Sequence, residues 1–257
     1  MRQVLASSSC QETGPLYFMY RDLALTPSDR QWLRSNHLRY DITAIISRDI
    51  CGERVKTKGH YHPASPSGTG YPEIYEVLVG HAHYLLQKRN LSDVLLVDAQ
   101  ENDIVLIPPG YGHVTINAGD SDLIMANIVS RAFESEYDEY EKKRGAAYYE
   151  LSDGTFKKNP AYPAVPDLQI IKAGKLRKRL HIPEGGMYEM IGTDRLGFLN
   201  HPEYAADLFR EALKGLAGSY ACGRSFLRVK VLSPQSGSCC SSRSFQVPSV
   251  RYPFQGR

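Results

Sequence analysis

Two histidines one residue apart, His60 and His62 in Gly59-His60-Tyr61-His62, carry the clearest chemical signal in this chain. Side chains alternate between the faces of a strand, so residues i and i+2 point the same way and the two imidazoles aim at one spot. The stretch Tyr71-Pro72-Glu73-Ile74-Tyr75-Glu76 follows, and later Pro108-Pro109-Gly110-Tyr111-Gly112-His113. A carboxylate and a third imidazole from neighbouring strands would complete a metal site. Three His and one Glu are all N/O donors, which suit Fe(II), Mn, Ni, Co or Zn rather than a soft thiolate site. A lone His in a strand is more often packed than ligating, so the argument rests on the surrounding pattern.

The elements that must position these residues read as strands. Residues 40–46, 74–79, 82–87, 94–97, 103–107, 113–117 and 123–129 are apolar-rich or alternating runs separated by turn signals. Short strands at that spacing predict an antiparallel sandwich or barrel. Before them, Thr26-Pro27 opens a short helix through Trp32-Leu33, with Thr26 as N-cap and Pro27 at the first helical position. Residues 131–145 are charged and helical in style, the pattern of a solvated helix face. Pro202 to Leu213 reads as a helix with Gly215 at its C-terminal cap. The organisation expected is an N-terminal extension over 1–38, a barrel and following helix over 39–150, a C-terminal extension packed on it over 151–217, and a tail over 218–257.

Composition narrows the function. The 257 residues are 42% hydrophobic, ordinary for a globular chain long enough to bury a core. No apolar run reaches transmembrane length, and residues 1–14 lack the apolar stretch of a secretion signal, so a cytoplasmic protein is expected. The formal charge of +3 is misleading: six basic and no acidic residues lie beyond Gly218, leaving 25 basic against 28 acidic elsewhere. A mildly acidic body gives no electrostatic reason to expect nucleic acid as a partner. The Ser-, Arg- and Cys-rich tail reads as weakly structured or non-native. Cys10, Cys51, Cys222, Cys239 and Cys240 form neither a disulfide framework nor a paired CxxC site.

The metal-site residues resemble the two signature motifs of the cupin superfamily, Gly-x5-His-x-His-x(3,4)-Glu-x6-Gly and Gly-Asp-x4-Pro-x-Gly-x2-His-x3-Asn. The second fits from Asp103 to Asn117, with Asn102 in place of its first Gly; Asn tolerates the left-handed conformation. In the first, Arg54 replaces the Gly and the loop from Pro63 to Pro72 lengthens the gap between His62 and Glu73. The strings Lys56-Thr57-Lys58-Gly59-His60-Tyr61-His62, Tyr71 to Leu78, Tyr84-Leu85-Leu86-Gln87 and Pro108 to Asn117 look like the cupin-type glucose-6-phosphate isomerases of archaea and some bacteria. That resemblance implies a mainly β fold, a jelly-roll barrel (double-stranded β-helix) with flanking helices. It also implies a homodimer with one divalent metal per subunit, most often Fe2+, with Mn2+, Ni2+, Co2+ or Zn2+ as alternatives. It makes His60, His62, Glu73 and His113 the ligands. It puts Thr43, Thr57, Gly59 and Tyr137 at the phosphate of a sugar-phosphate substrate. Tyr75, two residues past Glu73, should share its inward face and line the pocket. Two family positions differ: a tyrosine falls at Val129 and a histidine at Ser135.

Interconverting glucose 6-phosphate and fructose 6-phosphate moves hydrogen between C2 and C1. Proton transfer needs a base near the operating pH and a stabiliser for the charge that develops on the sugar oxygens. Glu73 is the expected base, although a metal ligand loses basicity, and a hydride shift stays open. Another sugar-phosphate isomerase or epimerase, a cupin dioxygenase and a non-catalytic sugar-binding cupin are the alternatives. Among rival residues, Glu76 is odd-spaced from Glu73 and should face outward. Lys58 alternates away from Thr57 and Gly59 and reads as a surface residue. His81-Ala82-His83 repeats the His-x-His spacing, but His81 directly follows Gly80. It is expected in the turn, so the two need not converge.

Overall fold

The computed structural model describes residues 2–174 and 176–213. The tail read over 218–257 and the cap assigned to Gly215 lie outside the described residues. The chain runs through β1 (Tyr17–Leu23), α1 (Pro27–Ser35), β2 (Leu38–Ile45), a small hairpin β3 (Asp49–Ile50) and β4 (Glu53–Arg54), then β5 (Glu73–Val79) and β6 (His81–Lys88). It continues through β7 (Val94–Gln100), β8 (Ile104–Ile107), β9 (Tyr111–Asn117), β10 (Leu123–Ser130), α2 (Asp138–Lys142), β11 (Tyr148–Glu150), β12 (Phe156–Lys158) and β13 (Gln169–Lys172). Then come α3 (Leu176–Arg179), three short 3-10 segments and α4 (Ala206–Leu213).

Two sheets make the barrel. One has the order β1-β2-β10-β5-β8 and is antiparallel throughout; the other has the order β13-β7-β6-β9, in which β13 runs parallel to β7. The expected mainly β jelly-roll barrel is the architecture found. Alternation sorts the side chains. On β6, Ala82, Tyr84 and Leu86 lie opposite Asn117, Thr115 and His113 of β9, and together with Val77, Val97, Val105 and Met125 the apolar ones fill the interior. The reverse face of the first sheet, with Tyr40, Ile74, Leu106 and Ile128, is covered by α1 and the segments after residue 180. The reverse face of the second, with Leu85, Leu96, Val114 and Ile116, is covered by Tyr140, Ala147 and Tyr148.

Local chemistry sets the boundaries. Thr26 and Asp29 form a reciprocal capping box at α1, with Asp29 N–H donating to Thr26 Oγ1 at 3.1 Å, a device worth about 1 kcal/mol. Asn102 takes the left-handed conformation expected of it, with φ 69°.

Three expectations are corrected. Residues 131–145 are not one helix: α2 spans only Asp138–Lys142, and Glu136 exchanges backbone hydrogen bonds with Tyr61 at 3.0 and 2.9 Å. Extended pairing satisfies that backbone before the charged run can coil. The N-terminal extension, expected to hold only a short helix, also supplies β1. It is an edge strand, and its exposed position permits Arg21 and Asp22 beside Phe18 and Tyr20. Cys10 and Cys51 form a disulfide with Cα atoms 5.9 Å apart. Cys51 and Gly52 are the two residues of the β3–β4 turn, both with positive φ, so the hairpin tip presents Cys51 to a residue 41 positions earlier.

Candidate metal centre

The segment 56–62 is not a regular strand. Gly59 has φ +84°, and a Cβ there would stand 2.6 Å from Tyr140 and Val114, so both backbone and packing demand glycine. Past it, single bridges hold the chain: His60 pairs with His113 at 3.2 and 3.0 Å, and Tyr61 pairs with Glu136. Those bridges preserve the alternation. Tyr61 goes into the outer layer beside Tyr140, and His60 and His62 face the barrel.

There they meet Glu73, the first residue of β5, and His113 of β9. The Nε2 atoms of His60 and His62 are 3.1 Å apart, and Glu73 Oε2 lies 3.4 Å from Nε2 of both His62 and His113. One donor atom from each of the four lies within 4.8 Å of every other. Ligands bonded to one ion at about 2.1 Å stand roughly 3.0 Å apart at right angles and roughly 3.4 Å apart at the tetrahedral angle. The observed spacings match. His62 Nδ1 contacts the Tyr71 carbonyl at 2.9 Å, which fixes its tautomer and leaves Nε2 for the site. Asn127 Nδ2 donates to Glu73 Oε1 at 2.7 Å. Glu73 Oε2 is buried with no hydrogen-bond partner among the described residues. An orphaned carboxylate oxygen facing three imidazole nitrogens is costly unless a cation joins them, so the donor set fits a divalent metal.

Burial, with the neighbouring imidazoles, holds His60 and His113 well below the usual histidine range. Arg21 and Arg39 add to the effect on His60. Both rings are therefore neutral, as ligands must be. Tyr75 is buried with its hydroxyl 3.1 Å from His113 Nε2, and burial followed by the charge of Glu73 drives its pKa well up, so it stays a phenol.

The remaining predicted residues are distributed around this centre. Tyr137 stands beside His60, with ring centroids 5.3 Å apart, and Lys58 Nζ lies over the Tyr137 ring at 4.9 Å while pairing with Glu141. Thr57 Oγ1 accepts from the Thr115 N–H at 3.0 Å, which leaves its own proton to donate. Thr43 is buried on β2, opposite Met125. Glu76 faces the other way and is held by Arg177 and the Met187 N–H. Val129 is buried opposite Glu73.

Sequence reading missed three contributors. Asn127 is one of them, and its signal was a lone amide in the apolar run Leu123-Ile124-Met125-Ala126-Asn127-Ile128-Val129. Asp41, buried, accepts from Arg39 Nε at 2.8 Å and shares the inward face of Asn127. Phe133 stacks on Tyr71 at 4.7 Å and sits 4.5 Å from the His62 ring. The second His-x-His was also misread. β6 begins at His81 itself, and the rings of His81 and His83 converge at 4.9 Å on the outer face of the barrel.

Comparison with known proteins follows the same line. A family model for glucose-6-phosphate isomerase matches residues 5–167. The glucose-6-phosphate isomerase of Thermococcus litoralis is 31% identical over 91 residues, covering 35% of this chain and 45% of that protein. That of Pyrococcus abyssi is 28% identical over 95 residues, covering 37% and 48%. The chain thus spans about half the length of these curated relatives. Among solved structures, the oxalate decarboxylase of Lactobacillus farciminis in its formate complex aligns at 16% identity with a TM-score of 0.37, over 52% of this chain and 35% of that one.

Proposed function

Because this chain belongs to the glucose-6-phosphate isomerase family, we propose that it interconverts glucose 6-phosphate and fructose 6-phosphate at a divalent metal held by His60, His62, Glu73 and His113. The observation that carries the reading is the convergence of His62 and His113 Nε2 on the unpartnered Glu73 Oε2, with His60 Nε2 beside His62 Nε2. Iron is the first choice of metal, and the family reading makes the enzyme a cytoplasmic homodimer. Among the described residues no helix is long and apolar enough to cross a membrane.

A divalent cation there would stabilise negative charge developing on the sugar's C1 and C2 oxygens. The chain's own groups do the rest. Glu73 takes the C2 proton and delivers a proton at C1, acting from the edge of the metal shell. The Asn127 amide fixes the carboxylate plane, so little reorganisation is needed when the proton moves. The Tyr75 hydroxyl, kept protonated, is a donor for a sugar oxygen. The Thr57 hydroxyl, Thr43, the Gly59 backbone and Tyr137 bind the phosphate and fix C1 and C2 against Glu73.

The test is to strip the protein with a chelator, restore Fe2+, Mn2+, Ni2+, Co2+ or Zn2+ singly, and follow fructose 6-phosphate turnover in a coupled assay. Activity should disappear on stripping and return with at least one ion. No activity with any ion refutes the isomerase reading. Turnover in deuterated water bears on the two routes: label at C1 or C2 supports proton transfer, and a complete absence of label weakens it.

A further inference from the structure

A second constellation lies on the opposite side of the sheet. His81 and His83 project from the outer face of β6, and Asp98 projects from the same face of β7, where it is the direct cross-strand partner of His83. His113 and Thr115, by contrast, face the interior from β9, so the two clusters are separated by the sheet itself. His81 Nε2 is 2.7 Å from Asp98 Oδ1, His83 Nε2 is 3.9 Å from the same oxygen, and one donor from each residue lies within 4.8 Å of the others.

The environment of His83 makes this more than an ion pair. Its Nδ1 sits 2.7 Å from Glu150 Oε2, a buried carboxylate on β11 that also faces Arg54 Nε at 3.4 Å. With Nδ1 engaged by Glu150, Nε2 is the ring nitrogen left to face Asp98 and His81. A carboxylate bound to the far nitrogen of an imidazole is also the usual support for a metal-ligating His, fixing its tautomer and raising its donor strength.

We infer that His81, His83 and Asp98 form a second divalent-metal site on the outside of the barrel, supported by Glu150. Two imidazole nitrogens and one carboxylate oxygen select a borderline first-row ion such as Zn2+, Ni2+ or Co2+ over Mg2+ or Ca2+. The three side chains are part-exposed, so the remaining coordination positions take water and the ion exchanges with solvent. The site ties β6, β7 and, through Glu150, β11 together. It stands apart from isomerisation and does not rest on that reading.

The experiment counts zinc bound per full-length chain by equilibrium dialysis and elemental analysis. Wild type should bind one equivalent more than His83→Ala and one more than Asp98→Asn. In a His62→Ala/His113→Ala background, which removes the interior site, added Zn2+ should still raise the melting temperature, and adding His83→Ala should abolish that rise. Equal zinc counts in wild type, His83→Ala and Asp98→Asn overturn the inference, as does an undiminished thermal rise in the triple variant. If His83→Ala fails to fold, Asp98→Asn decides, because it keeps the size of the side chain and leaves the His83–Glu150 contact in place.

Discussion

Asn127 offers the sharpest test of how the interior site is built. Its amide donates to Glu73 Oε1 at 2.7 Å. Asn127→Leu keeps roughly the shape and removes the donor. Glu73 is 4% exposed, so water does not replace the lost partner freely. A hydrogen bond to a charged group contributes about 1.5–3 kcal/mol. Loss of such an outer partner weakens metal binding by about 10- to 100-fold, which is about 1.4–2.7 kcal/mol. The two routes agree, so Asn127→Leu should raise the dissociation constant for Co2+ by about 10- to 100-fold. Competition against a chromophoric chelator measures it, with His83→Ala in both proteins so that only the interior site is read. Circular dichroism and a melt of the metal-free protein check that the fold survives. A change below twofold in a folded variant would show that Glu73 is positioned by something other than Asn127.

Four other outcomes follow from the geometry. His62→Ala should lose the interior metal and turnover together, seen in metal content and the coupled assay; retained metal would place the site elsewhere. Gly59→Ala should cost about 2–4 kcal/mol, from left-handed strain and overpacking against Tyr140 and Val114, read as a fall in urea midpoint. Lys56 is buried against Glu53, and desolvation lowers its pKa to about 7; Lys56→Met strands the Glu53 carboxylate at about 3–5 kcal/mol, and Lys56→Met/Glu53→Gln should recover most of it in denaturant titration. His60 and His113 have folded pKa values depressed below the unfolded value of about 6.5, so the unfolded chain binds more protons in acid. Metal-free stability should therefore rise with pH up to about 6.5 and level off above it, and His60→Gln/His113→Gln should flatten that slope; an unchanged slope refutes the assignment.

The barrel was legible because short apolar-rich or alternating runs are separated by turns that carry their own punctuation, down to Asn102 standing in for glycine at φ 69°. The interior site was legible for the same reason. Less visible was whatever depends on pairing between distant segments. Glu136 abandons a helical pattern because Tyr61 offers it backbone partners. Cys10 and Cys51 meet because a tight hairpin carries one to the other, which no count of cysteines reveals. His81 and His83 were discounted on the assumption that a strand starts a residue or two after its turn. Gly80, at φ +95° and with no Cβ to press on the Asp122 carbonyl, lets β6 start at once.

The segment bearing His60 and His62 is held to the barrel by isolated bridges rather than by a ladder. Few backbone bonds hold it, so its order rests on side-chain packing, chiefly Tyr61 in the outer layer beside Tyr140. Its ligands face Glu73 and His113, which sit in regular strands. A bound ion would therefore act as a clasp between a bridged segment and two laddered strands. Amide exchange in the metal-free protein would be fast at residues 56–62 and at Glu136, slow in β5 and β9, and metal would slow the first group alone. The strand that supplies half of the ligands would owe its own order to the ion it binds.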